Sequence, residues 1–313
     1  LAPPMDRASV SIRVCRVVGS VVFLTHCSDW SAMTNAVYLV LGATGGQGGA
    51  VADALLFRGA AVRAMVRDTR SPRAQRLGER GVELVGGSLD DRAALAAAMA
   101  SVAGVFAVTT PFEAGVDAEV RQGRAIIGAA GDAGVAHLVF SSVASADQMT
   151  TIPHFESKAV IEQELSASGL PATVVAPTYF FDNALGGRQE LLDGVLELPL
   201  PADRPLQQLA REDLGQFVAH VLAEPRKYLG ERIELAGDSV TPAEMAAAIG
   251  DALGRPVIHR QTPLAAIGNA DMHAMWTFLD SGGYRVDIDA LHRTNPEIEW
   301  TSFRDWTRRT FTR

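Results

Sequence analysis

The chain has 313 residues, 48 % of them hydrophobic, and a formal charge of -8. That is globular composition, with length for a large core and one or two domains. A net negative chain without a Lys/Arg run argues against nucleic-acid binding through its own field, and no apolar stretch reaches the length of a membrane-spanning helix.

Residues 1–32 differ from the rest. Arg7, Arg13 and Arg16 precede a short apolar run, Val17 to Leu24, which can be read as a signal peptide. Leu24-Thr-His-Cys27 hints at a lipidation site, although His26 stands where a small residue is wanted. Met33 begins a sequence that runs straight into the first strand. Residues 1–32 are therefore expected to be a disordered or non-native extension, with Met33 the functional start. Both cysteines, Cys15 and Cys27, lie in that stretch, so the chain from Met33 onward has neither a disulfide nor a cysteine metal site.

An apolar run, Ala36 to Leu41, ends in glycines, and a helical pattern, Ala50 to Arg58, follows. Gly42, Gly45 and Gly48 make a G-x-x-G-x-x-G spacing between strand and helix, the setting of a dinucleotide-binding turn. Gly42 lets the chain leave the strand, Gly45 lets a pyrophosphate approach the backbone, and Gly48 lets the helix pack close. The unpaired N–H groups that open the helix face the anion. The chain then alternates. Strands are expected at Ala60–Arg67, Val82–Val85, Val105–Thr109, Ala136–Ser141 and Ala172–Ala176. Helices are expected at Arg73–Arg80, Arg92–Ser101, Ala118–Ala133 and Phe155–Ser168. This rhythm predicts an α/β fold: a Rossmann-like, doubly wound parallel sheet with right-handed crossovers over residues 33–180.

After about residue 180 the rhythm breaks. Leu198 to Pro205 reads as loop or hairpin, and Arg232–Leu235 and Val257–His259 as short strands. Glu212–Ala223, Pro242–Leu253, Pro263–Leu279 and Phe303–Phe311 read as helices. Residues 181–313 are expected to form a smaller α+β portion that completes a cleft at the carboxyl edge of the sheet.

Dinucleotide folds that select NAD place an acidic residue at the end of the second strand. Here Arg67 ends that strand, and its fork of donors suits a ribose 2′-phosphate, with Arg70 and Ser71 beside it. If the register is one residue off, Asp68 takes the place and NAD is favoured. NADP(H) is the preferred expectation and NAD(H) the alternative. A secreted protein would meet little of either, so a cytoplasmic location is expected.

At the end of the fifth strand stands Ser141-Ser142, followed by His154-Phe-Glu-Ser-Lys158 at the start of a helix. His154 and Lys158 share a helical face at i, i+4. A lysine there can bond a nicotinamide ribose and lower the pKa of a neighbouring acid. In many reductases of this architecture that neighbour is a tyrosine. Tyr38, Tyr179, Tyr228 and Tyr284 all lie elsewhere, and His154 occupies the position, where an imidazole can exchange a proton near neutral pH. The alternative is a polar residue at a helix start with no chemistry. Ser142 is a candidate to hold a proton-donating water.

These residues resemble the NmrA-like group of atypical short-chain dehydrogenases/reductases, from about Met33 to the C-terminus. The resemblance rests on Leu41-Gly-Ala-Thr-Gly-Gly-Gln-Gly-Gly49, Val66-Arg67-Asp68, Gly86-Gly-Ser-Leu-Asp-Asp91, His154-Phe-Glu-Ser-Lys158, Pro177-Thr-Tyr-Phe-Phe-Asp-Asn183 and Arg211-Glu-Asp-Leu-Gly215. It implies a Rossmann domain that binds NADP(H). Gly42, Ala43, Thr44, Gly45, Gly46 and Gln47 would hold the pyrophosphate, with Gly48 behind them. Arg67, Asp68, Arg70 and Ser71 would hold the adenosine phosphate. Ser88 and Leu89 would lie by the adenine, and Thr109, Thr110 and Pro111 near the ribose. Lys158, Phe180, Phe181, Asp182 and Asn183 would lie near the nicotinamide. Related sequences often have Gly-Asp where this chain has Gly87-Ser88, so the adenine contact would be weaker or made by the backbone.

The resemblance implies one of two roles. The first is an NADPH-dependent reductase of a quinone or other small carbonyl compound, with Phe155, Tyr179 and Phe181 as apolar walls. The second is a non-catalytic NADP(H)-binding redox sensor with a protein partner. A small-molecule substrate, no direct nucleic-acid contact, no membrane and room for a homodimer complete the expectation.

Overall fold

The computed structural model describes residue 33 and residues 36–311. The reading of 1–32 as an extension, with Cys15 and Cys27, lies outside the described residues. The first half alternates strand and helix: β1 (Val37–Leu41), α1 (Gly46–Phe57), β2 (Ala61–Val66), α2 (Pro72–Gly78), β3 (Glu83–Gly86), α3 (Arg92–Met99), β4 (Gly104–Val108), α4 (Val116–Ala133), β5 (Leu138–Ser141), α5 (Pro153–Ala167) and β6 (Ala172–Pro177). The second half adds β7 (Tyr179–Phe180), α6 (Arg188–Leu192), β8 (Val195–Leu198), β9 (Leu206–Leu209), α7 (Arg211–Ala223), α8 (Pro225–Tyr228) and β10 (Arg232–Leu235). It ends with β11 (Asp238–Val240), α9 (Pro242–Leu253), β12 (Ile258–Gln261), α10 (Ala270–Asp280), α11 (Ile288–Thr294) and α12 (Phe303–Phe311).

The central sheet runs β10-β6-β5-β4-β1-β2-β3, every pairing parallel. The expected parallel, doubly wound α/β sheet is present. Strand order reverses between β1 and β4, so a crevice opens at their carboxyl ends, the place where such sheets bind ligands. Strand side chains alternate between two covered faces. Tyr38, Val40, Phe106 and Val139 join the core under α1 and α7. Leu39, Leu41, Val105, Ala107, Leu138 and Phe140 join the core under α3, α4 and α5. Helix α7 can lie on α1 because Gly215 has no side chain: a Cβ there would stand 2.3 Å from the Ala50 carbonyl oxygen.

Residues beyond 180 re-enter this architecture. β10 becomes the seventh strand, against β6, and α7 covers α1. The rest packs around a third core that includes Phe155, Phe181, Leu196, Met245, Trp276, Phe303 and Trp306. Of the two readings of Leu198–Pro205, loop or hairpin, the loop is the one present after Leu198 ends β8, because β8 pairs with β12 while β9 pairs with β11 and β7. Pro199, Pro201 and Pro205 lack the N–H a ladder needs. One local expectation needed correction. The single helix expected over Pro263–Leu279 is a short turn, Leu264–Ala266, followed by α10. Gly268 interrupts it, and the Asn269 side chain accepts the Met272 N–H to begin a new helix.

Candidate active site

The glycine turn sits at the carboxyl end of β1. Gly42 has φ +72°, and a Cβ on Gly48 would stand 2.3 Å from the Gly42 carbonyl oxygen. Only glycine allows this closeness. Helix α1 starts at Gly46 with no side-chain cap and no acidic residue in its first turn. Its opening N–H groups and the positive end of its dipole are left for an anion. Gln47 accepts the Ser141 hydroxyl at 2.6 Å, which ties the turn to β5. A cation also reaches this turn. Arg211, opening α7, lies against Gly46, where a Cβ would be 2.7 Å from its Cζ. It pairs with Asp182 at 3.4 Å and lies over the Phe180 ring at 5.8 Å. Burial pushes the Asp182 carboxyl up, with Arg211 opposing. Asn183 is exposed, while Phe181 is wholly buried against Phe303 and Trp306 and has no surface to offer a ligand.

At the β2 end, Arg67 bonds Glu113 through both guanidinium arms, at 2.6 and 3.3 Å. Asp68 accepts the Arg70 N–H at 2.9 Å, and Ser71 caps α2. Beside them a cleft of about 350 Å³ is lined by Ala43, Thr44, Gly49, Asp53, Arg73, Arg76, Leu77 and Arg80. Arg80 pairs with Asp53 at 2.7 Å, whereas Arg73 and Arg76 have no acidic partner among the described residues. Sequence reasoning missed these two. Their spacing with Arg80, one face of a helix directly after β2, was the signal. Ser88 accepts the Asp90 N–H at 3.2 Å, and Leu89 is half-buried against the α3–α4 core. The Thr110 hydroxyl accepts the Phe112 N–H at 3.4 Å, and the Pro111 carbonyl accepts the Gly115 N–H at 2.7 Å.

Lys158 is buried. Its ammonium donates to the Thr109 carbonyl at 2.8 Å, the Thr109 hydroxyl at 3.0 Å and the Ser141 carbonyl at 3.2 Å. It also pairs at 3.0 Å with Glu119, a fully buried carboxylate on α4. Glu119 further accepts the Ser157 hydroxyl at 2.5 Å and the Thr109 hydroxyl at 3.0 Å. Burial pulls the Lys158 pKa down and Glu119 pulls it back up. Lys158 thus clamps the ends of β4 and β5 together. Glu119 was not singled out in the sequence, although an acid among Ala118, Gly123, Ile126 and Ala130 on a buried helix face was visible there.

Ser142 and His154 are not brought together. The Ser142 hydroxyl donates to Glu162, eight residues and about 12 Å further along α5 at 1.5 Å per residue. Glu162 is held by Arg232 at 2.8 Å, which also binds Glu234 at 2.9 Å and Asp147 at 3.4 Å. His154 stands in the first turn of α5, after a loop in which Ser145, Met149 and Thr151 hold φ between 50° and 64°. Its Nδ1 hydrogen-bonds Asp271 on α10. Its ring meets Phe155 edge-on at 4.8 Å and Phe112 at 5.6 Å. Its Nε2 has no hydrogen-bond partner among the described residues. Asp271 lies 117 positions away, and no sequence pattern joined the two.

Among the described residues no helix is long and apolar enough to cross a membrane, and no cluster of three or more His, Cys, Asp or Glu could hold a metal. The chain is 31 % identical over 221 residues to the NAD(P)H azoreductase of Xenophilus azovorans, covering 70 % of this chain and 74 % of that one. Its fold matches the NADPH complex of the Escherichia coli NADPH-dependent quinone oxidoreductase QOR2, with a TM-score of 0.75 at 24 % identity over 88 % of this chain and 99 % of that one. It equally matches the negative transcriptional regulator NmrA in complex with NADP, with a TM-score of 0.75 at 21 % identity over 89 % and 96 % of the two chains. The family model described as NmrA-like matches residues 34–307. The turn, the sheet order and these matches agree: the chain belongs to the NmrA-like family.

Proposed function

We propose that the chain is a reductase that takes hydride from NADP(H), in preference to NAD(H), and passes it to a quinone or other small carbonyl compound. The observation that carries the reading is His154, an ionisable ring at the carboxyl edge of the sheet with Nε2 left free. The residues fit a dinucleotide. The uncapped start of α1 suits a pyrophosphate, with Arg211 beside it. Arg73 and Arg76 in the adjoining cleft, and Arg67, suit a 2′-phosphate. A bound reduced nicotinamide supplies the hydride. The chain's own part is to orient the substrate and to donate a proton from His154 to the oxygen that gains negative charge. A quinone needs this help least, since its first product is a stabilised phenolate. The azoreductase and quinone oxidoreductase relatives support small conjugated acceptors.

One observation favours the second reading, an NADP(H)-binding sensor with a protein partner. Every Lys158 donor is spent on Thr109, Ser141 and Glu119, which leaves none for a nicotinamide ribose. The regulator NmrA has the same fold. The deciding experiment measures NADPH oxidation against a panel of quinones, azo dyes and carbonyls, beside NADPH binding by calorimetry. Turnover is expected with at least one acceptor. His154→Ala should lower kcat on a carbonyl by about 100-fold or more. Tight NADPH binding without turnover on any acceptor would refute the reductase and leave the sensor.

A further inference from the structure

We infer that Asp271 is the positioning residue that fixes the proton on His154, so that one helix of the C-terminal portion sets the chemistry of a ring on the Rossmann half. The inference rests on the reductase reading and deepens it.

Asp271 lies in the first turn of α10, and its side chain is 21 % exposed. It is not needed as a cap, because Asn269 already accepts the Met272 N–H at 3.0 Å. It meets no arginine or lysine among the described residues. Its one hydrogen-bond partner there is Nδ1 of His154, whose side chain is 11 % exposed. Asp271 stands in the first turn of α10, at the positive end of that helix's dipole. A carboxylate is only an acceptor, so the ring nitrogen facing it must carry hydrogen. That sets the tautomer: Nδ1–H points to Asp271, and Nε2, with no hydrogen-bond partner among the described residues, is the nitrogen left to exchange protons. Buried Phe155 meets the ring edge-on at 4.8 Å, and Phe112 lies at 5.6 Å on its exposed side. Helix α10 is itself anchored by buried Met275, Trp276 and Leu279.

The step balances simply. In the charged ring both nitrogens carry hydrogen. If a substrate's carbonyl carbon took up hydride from a bound reduced nicotinamide nucleotide, the carbonyl oxygen would gain its proton from Nε2. The Nε2–H bond breaks with its electron pair left on the ring, an O–H bond forms, and the neutral imidazole keeps Nδ1–H on Asp271. Solvent restores the proton.

The test joins a spectrum to a rate. The full chain is labelled with ¹⁵N-histidine, and the His154 ring is assigned by its loss in His154→Gln. In the wild type the neutral ring should carry its proton on Nδ1. In Asp271→Ala it should shift toward Nε2–H, the form that isolated imidazoles favour. With a carbonyl acceptor, Asp271→Asn and Asp271→Ala should each lower kcat about 10- to 100-fold, while KM and the NADPH affinity stay within about threefold. A clip that merely docks α10 would move KM and thermal stability and leave kcat. A wild-type ring with its proton on Nε2, or variants with unchanged kcat, would overturn the inference while turnover kept the reductase reading. No turnover by the wild type on any acceptor, with the proton on Nδ1, would instead overturn the reductase reading and the donor role with it.

Discussion

Removing Lys158 should cost stability before it costs anything else. Glu119 is 0 % exposed, and Lys158, at 3.0 Å, is its one countercharge among the described residues. In Lys158→Met the carboxylate keeps the Thr109 and Ser157 hydroxyls and loses its cation. The Thr109 and Ser141 carbonyls lose a donor as well. Breaking a buried pair on one side costs about 3–5 kcal/mol. At about 2–4 °C per kcal/mol for a domain of this size class, Tm should fall by roughly 6–20 °C. Glu119→Gln in the same chain removes the orphaned charge, and methionine can lie on the Phe140 ring that the ammonium now faces at 5.1 Å. The double variant should regain most of the loss, with a coupling of about 2 kcal/mol or more. Urea unfolding followed by the fluorescence of Trp276, Trp300 and Trp306, with a thermal melt beside it, measures both quantities. A Lys158→Met cost under about 1 kcal/mol, or additive single variants, would refute the buried-pair argument. The result matters for function, because inactivity of a Lys158 variant would otherwise be read as lost chemistry.

Two further predictions concern protons and the cofactor. Burial lowers His137 from 6.5 to about 4, so below pH 6.5 the unfolded chain takes the proton first and stability falls, by about 3 kcal/mol at pH 4. Burial raises Asp213 from 3.8 to about 6, so between those values the folded chain takes the proton first and stability rises by a similar amount as acid is added, about 3 kcal/mol. The two offset each other in the wild type. His137→Gln should therefore gain stability on acidification from pH 6 to 4, and Asp213→Asn should lose it; equal slopes in urea titrations at pH 6.5, 5 and 4 would contradict the assignment. Arg67 must leave Glu113 to reach a phosphate. Glu113→Gln should tighten NADPH by up to about fivefold and leave NADH unchanged, and Arg67→Ala should weaken NADPH by about one to two decades. Calorimetry that shows neither change would remove Arg67 from the phosphate site.

The glycine turn, the strand–helix alternation and the Rossmann class were legible because each is local. Gly42, Gly45 and Gly48 report a backbone that must pass close to itself, and runs such as Val37–Leu41 report burial on both faces of one strand. The same locality hid the rest. Nothing around Arg232–Leu235 says that it pairs with β6, since any short apolar strand could take that edge. His154 was visible as the residue four before Lys158, but Asp271 reaches it only because α10 docks on the third core. Lys158 was visible as a lysine on a helix face; that it is buried against Glu119 follows from α4 and α5 packing side by side. Arg67 was read as a free fork of donors, and the loop after β4 brings Glu113 to it. Periodicity tells which face of an element is covered. Which charge meets which is decided by how covered faces stack, and that is settled by side chains far apart in the chain.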